Sequence, residues 1–148
     1  MSMKDTTAPA TGRLCRLQLD IPAQQPFLKV LGACVSALFQ QESLTAAQDA
    51  AYRVHLAVHE LCINILEHAY GEQDGRIRAV FTITENPGSF TVDLRDSGRS
   101  FVLPDAAFPD PSNLQVRGYG LALIHQLMDH VSYHPSPGDN HWRLVKYL

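Results

Sequence analysis

A chain of 148 residues, 45% hydrophobic and 18% charged, has the size and make-up of one globular domain able to bury a core without disulfide or metal staples. Twelve Lys and Arg against fifteen Asp and Glu leave a formal net charge of −3, so no basic field exists to hold nucleic acid directly, and no apolar run approaches a membrane span. The three cysteines, Cys15, Cys34 and Cys62, sit in apolar surroundings without CxxC spacing, which speaks against a disulfide framework and for packed, reduced thiols in a cytoplasmic protein.

Residues 1–12, MSMKDTTAPATG, are polar and rich in small side chains. They read as a disordered lead-in with no apolar core of a signal peptide, ahead of a single domain over 13–148. Arg13 to Ile21 alternates apolar and polar residues, with Leu17 and Leu19 on one face and Pro22 closing it, the pattern of an edge strand. Gln24 to Gln41 switches to helical period through Phe27, Leu31, Cys34, Val35 and Leu38. A second helix is expected from Thr45, capped by Ser43 or Thr45.

That second helix runs to Tyr70, and its later half carries an unusual pattern. Glu60, Asn64 and Glu67 stand at i, i+4 and i+7, one narrow stripe with Arg53 on the same line, while Val54, Leu56, Val58, Leu61, Cys62, Ile63, Ile65 and Leu66 occupy the remaining circumference. A polar stripe on an apolar cylinder suggests a buried helix bordering one wet cleft. The alternative is a solvated face narrowed by chance, with His55 and His59 as a second exposed patch. This stretch alone leaves both open.

Gly71 to Gly75 reads as a loop, and Ile77 to Glu85 as a strand with Ile77, Ala79, Phe81 and Ile83 on one face. Asn86-Pro87-Gly88-Ser89 has the Pro and Gly of a type II turn. The return strand then sets Phe90, Val92, Leu94 and Asp96 on a single face. Asp96 is either a carboxylate ending a core-facing row, where it needs hydrogen-bond donors, or the opening of an Asp-Ser-Gly turn outside the strand. Arg99 to Arg117, with Pro104, Pro109 and Pro111, is a long irregular segment of the kind used as a lid. It ends at Gly118-Tyr119-Gly120, after which Leu121, Ile124, Leu127 and Met128 give a helical stripe. Glycines opening a helix let phosphate approach its unpaired N–H groups. Val131 to His134 and His141 to Leu148 close the chain as two strands.

Helix ExxxN, strand-end DxG and a lid ending in GxG occur in that order. In HELCINILEHAY (59–70), DLRDSGRSF (93–101), GYGLALIHQLMD (118–129) and the closing WRLVKYL, the chain resembles the GHKL ATPase superfamily, and within it the anti-sigma-factor serine kinases of the RsbW and SpoIIAB type. The resemblance implies an α/β (α+β) two-layer Bergerat sandwich, a mixed, mainly antiparallel sheet with three helices on one face. It implies ATP and Mg²⁺ as cofactors. Asn64 would help hold Mg²⁺ on the phosphates, and Glu60 would orient or deprotonate the attacking hydroxyl. Asp96 would accept the exocyclic amine of adenine and Gly98 would give the base room, while Gly118 and Gly120 would let the lid and helix close on the phosphates. The implied partners are a STAS-domain antagonist and a sigma factor or other regulator, with room for a homodimer.

Two positions depart from the family's pattern. Ser100 stands where DxGxGF has its second glycine, and Arg117 where GGxG has its first. Two function classes follow: a serine/threonine protein kinase that phosphorylates the STAS antagonist, and a nucleotide-loaded module that sequesters a partner without phosphotransfer. Other motifs fit less well. His59-Glu60 lacks the second histidine of HExxH, because Ile63 stands there. A histidine pair at 55 and 59 is a sparse metal grip, and neither a P-loop nor a GxSxG elbow is present.

Overall fold

The computed structural model describes residues 12–41, 44, 47–102 and 116–148. Residues 1–11 of the expected lead-in, the proposed caps Ser43 and Thr45 and the three lid prolines lie outside the described residues. Alternating sequence builds the sheet: β1 (Arg13–Pro22), β2 (Arg76–Thr84), β3 (Ser89–Asp96), β4 (His130–His134) and β5 (Asn140–Tyr147) pair in the order β1-β2-β3-β5-β4. Every pairing is antiparallel, so the mixed, mainly antiparallel sheet expected narrows to an antiparallel one. Register aligns the apolar rows, with Leu17 opposite Phe81, Phe81 opposite Val92 and Val92 opposite Leu144. One face is thereby apolar except for Asp96 and Asn140 at one end, and the opposite face carries Arg16, Arg78, Asp93, Arg95 and Arg143.

Helices α1 (Gln25–Phe39), α2 (Gln48–Asn64) and α3 (Val116–Leu127) cover the apolar face, completing the two-layer α+β sandwich. α1 buries Leu28, Leu31, Val35 and Phe39. Phe27, expected inside, is 39% exposed, because the buried stripe runs through 28, 31, 35 and 39 and sets Phe27 to its flank. α2 starts at Gln48, not Thr45, and Ala47 provides no side-chain cap. Burial of Val54, Ala57, Val58, Leu61 and Cys62 holds it instead. The stripe divides along its length: Asn64 is buried and Glu60 half-buried, while His55 and His59 are exposed. Beyond Asn64 the helix continues as a π-helical stretch, Ile65–Tyr70, with the Gly71 N–H bonded to the Leu66 carbonyl at 2.9 Å. The wider turn breaks the 100° phase, and Glu67 is exposed, 3.9 Å from His68.

Two further local readings change. The β2–β3 connection is not a type II turn: the positive φ falls on Asn86 (53°) rather than Gly88, and the Asn86–Pro87 peptide is cis. α3 begins at Val116, so Gly118 and Gly120 lie inside its first turns instead of ahead of it. Burial pushes the Cys62 thiol up to about 12, so it stays protonated and inert, and all three cysteines are free. Among the described residues no helix is long and apolar enough to cross a membrane.

The two layers are locked at Phe90, fully buried on β3, whose ring stacks on Phe39 of α1 with centroids 4.8 Å apart and lies 5.9 Å from Phe81. Phe90→Ala is expected to cost about 3–5 kcal/mol of folding stability. Urea denaturation followed by far-UV circular dichroism measures it, and a loss below about 1 kcal/mol would show that the neighbouring rings collapse into the space.

Candidate functional site

Strand β3 extends through Asp96, which is paired with Ile77 on one side and Asn140 on the other and is 2% exposed. Asp96 therefore ends the core-facing row and does not merely open the turn. Its two oxygens are treated unequally. Oδ1 accepts the Gly98 N–H at 2.9 Å and the Asn140 Nδ2 at 3.0 Å, whereas Oδ2 is buried with no hydrogen-bond partner among the described residues. Burial pushes its pKa up, with the nearby charge of Asp139 acting the same way, and the donors from Asn140 and Gly98 pull against them. An unpartnered buried acceptor costs about 1–3 kcal/mol. A ligand N–H aimed at Oδ2 would remove that cost.

The loop after Asp96 is pressed onto the end of the central helix. A β-carbon on Gly98 would lie 2.6 Å from the Ala69 carbonyl oxygen, so only glycine fits, and the Arg99 N–H donates to that same oxygen at 2.8 Å. Tyr70 pins the loop from beneath. Its hydroxyl accepts the Ser97 N–H at 2.9 Å and donates to the Arg76 carbonyl at 2.6 Å. Phe101 follows, its N–H bonded to the Tyr133 hydroxyl at 2.8 Å and its ring 5.8 Å from both Tyr133 and Trp142.

On the helical side, Glu60 and Asn64 face α3. A β-carbon on Gly120 would sit 3.3 Å from Asn64 Nδ2 and 3.5 Å from Glu60 Oε2. The absence of a side chain is what lets the first turns of α3 lie directly over this pair. Asn64 is 9% exposed, and its Nδ2 is buried without a partner among the described residues. Gly118 falls within the first turn of α3. Of the sequence-derived residues, then, Glu60, Asn64 and Gly120 come together, as do Asp96 and Gly98, the two groups joined through the π-helical stretch from Asn64 to Tyr70.

Sequence reasoning missed Asn140 and Tyr70. The tyrosine ends the recognised motif and reads as core, and Asn140 sits in a turn-like Gly-Asp-Asn run where asparagine is ordinary. The histidine pair acquires a packing explanation, because His55 lies against Gly32 of α1, with its Nε2 only 2.3 Å from where a β-carbon would stand. Among the described residues no group of three or more His, Cys, Asp or Glu could hold a metal ion by itself.

Comparisons with known proteins bear on the family and the fold. Residues 22–146 match the model of the histidine kinase-like ATPase domain. The serine-protein kinases RsbW of Bacillus thuringiensis (strain Al Hakam) and Bacillus anthracis are each 28% identical over 127 residues, covering 80% of this chain and 77% of theirs. The solved histidine kinase domain from the Erythrobacter litoralis EL346 blue-light activated histidine kinase shares the fold, with a TM-score of 0.52 at 14% identity over 82% of this chain; the match spans 59% of that chain. The family's span takes in both halves of the candidate site, and the chain belongs to the histidine kinase-like ATPase domain family, with serine-protein kinases of the RsbW type among its relatives.

Proposed function

We propose that this chain is an ATP-dependent serine/threonine protein kinase of the anti-sigma-factor type, formed by residues 13–148 and working in the cytoplasm. It would phosphorylate a STAS-domain antagonist and sequester a sigma factor or another regulator when that antagonist is phosphorylated. Membership of an ATPase-domain family implies ATP binding. The observation that carries the reading is the lone, buried Oδ2 of Asp96 beside a glycine that admits no β-carbon. Adenine offers an exocyclic amine to such an oxygen and guanine, with a carbonyl at that position, does not.

The residues fit a nucleotide with its cation. Asp96 would hold the base edge, Gly98 would leave the loop thin enough for the ring to lie along it, and Gly118 and Gly120 would keep the first turns of α3 open to the phosphates. Asn64 would bind the Mg²⁺ through its amide oxygen, a suitable ligand for a hard cation that retains waters. Mg²⁺ bound there would supply charge neutralisation on the phosphates. Glu60, one helical turn before Asn64, would accept the proton of the partner's Ser or Thr hydroxyl. The hydroxyl oxygen forms its bond to the γ-phosphorus as the bond from the β–γ bridging oxygen breaks, and ADP leaves with that electron pair. Retention of Glu60 beside Asn64 favours phosphotransfer over a sequestering module, which has no use for a base there.

Three substitutions divide this reading into parts. Asp96→Asn turns one acceptor oxygen into a donor facing the amine, so ATP affinity should fall by about 1–3 kcal/mol. Calorimetric titration with ATP and GTP tests it, and equal ATP affinity in mutant and wild type would remove Asp96 from base recognition. Asn64→Ala should weaken Mg²⁺-ATP more than Mg²⁺-free ATP; an equal loss in both makes Asn64 a packing residue. Glu60→Gln should bind ATP and partner normally while phosphotransfer to a STAS protein, followed with radiolabelled ATP, drops about 10²-fold or more. A wild-type protein that binds such a partner in an ATP-dependent way yet transfers nothing would be the sequestering module instead.

A further inference from the structure

Asn140 is the most completely bonded polar side chain near the site. It is the first residue of β5, directly opposite Asp96, and is 0% exposed. Its neighbours on the same strand face, Trp142 and Leu144, are apolar core residues, so an amide there is costly unless its hydrogen bonds are made. All of them are. Nδ2 donates to Asp96 Oδ1 at 3.0 Å and to the Gly98 carbonyl at 2.9 Å, while Oδ1 accepts from the Ser100 hydroxyl at 2.6 Å and the Ser136 N–H at 3.3 Å.

These partners leave the amide only one orientation. A backbone carbonyl accepts and never donates, and a backbone N–H donates and never accepts, so a flipped carboxamide would set nitrogen against the Ser136 N–H and oxygen against the Gly98 carbonyl. With the amide fixed, the carboxylate plane of Asp96 is fixed too: two donors hold one oxygen, and turning the group out of this plane would stretch both bonds. The Gly98 carbonyl is engaged by the same amide, so the loop from Asp96 to Ser100 is tied to β5 before any ligand arrives. Ser100 completes the arrangement with a hydroxyl that glycine, the residue usual in the family's motif, could not supply.

We propose that Asn140, with Ser100 as its partner, is a positioning residue for base recognition, clamping Asp96 Oδ1 and the Gly98 carbonyl so that Oδ2 alone is presented to the exocyclic amine. The proposal rests on the nucleotide reading above. It adds that selectivity for adenine depends on a residue 44 positions from the carboxylate it orients, and that Ser100 is a working part of the base site.

The test compares affinity for ATP with that for ITP, which carries an oxo group in place of the 6-amine, by titration calorimetry. Wild type should prefer ATP by about 10- to 100-fold, the worth of one hydrogen bond to a charged group. Asn140→Ala should reduce that preference to within about 3-fold, and Ser100→Ala should shift it the same way by less. Leu144→Val, two residues along on the same strand face, serves as the control: it lowers thermal stability but should leave the ATP-to-ITP ratio at the wild-type value. If Asn140→Ala does not fold, Asn140→Ser is measured in its place, with the same expectation. An asparagine variant that loses stability but keeps the wild-type ratio overturns the proposal, because Asn140 then only holds the strands together. A wild type with no preference for ATP over ITP overturns the nucleotide reading itself, which is a separate failure.

Discussion

A carboxylate buried at the end of a core-facing strand must find donors or forfeit its charge, and much of the organisation at one end of this molecule answers that constraint. The Asp96 side chain cannot turn to solvent, since alternation along β3 sends it inward with Phe90, Val92 and Leu94. Its donors come from the two elements that flank it. The backbone of the following loop supplies one, and the facing residue of β5 supplies the other. Meeting that demand also ties down the loop, closes it against Ala69 and Tyr70, and leaves one oxygen without a partner among the described residues.

Asp93, on the opposite face of the same strand, shows what a different environment does to the same side chain. Burial would raise its pKa, but hydrogen bonds from Arg143 and His141, reinforced by their charges, outweigh burial and hold it below the usual carboxylate range. Its oxygens are met by the Arg143 guanidinium and the His141 ring on the open face of the sheet. Among the described residues Asp96 is served by neutral donors, its pKa is raised, and its Oδ2 has no hydrogen-bond partner. Within one strand, the carboxylate beside Arg143 and His141 has both oxygens bonded, whereas the one in the core-facing row keeps an oxygen with no partner among the described residues.

The second organising feature is the closeness of α2 and α3. Gly120, lacking a side chain, lets α3 approach Asn64 and Glu60 of α2 directly. The π-helical stretch after Asn64 then carries the chain from the Glu60 and Asn64 side of the site to Ala69 and Tyr70, against which the Asp96 loop is seated. One continuous helical run thus borders both halves of the candidate site, with a change of helical phase between them.

Periodicity was enough to show from the sequence that Glu60 and Asn64 share a face, that Phe90, Val92, Leu94 and Asp96 share another, and that the ordered motifs resemble one ATPase superfamily. These are local properties, set by 3.6 residues per turn and by strict alternation in strands. Periodicity also misled where the geometry departs from its ideal: it set Phe27 inside α1, placed Glu67 on the Asn64 stripe although a π-helical stretch intervenes, and put the glycines ahead of α3 instead of within it. What only the tertiary structure decided is which residues distant along the chain meet. The register of β3 against β5 brings Asn140 to Asp96 across 44 positions, and helix packing brings Gly120 to Asn64 and Glu60. Strand register and helix contact are settled by how the whole core packs, so no pattern local to Gly-Asp-Asn or Gly-Tyr-Gly could have revealed them.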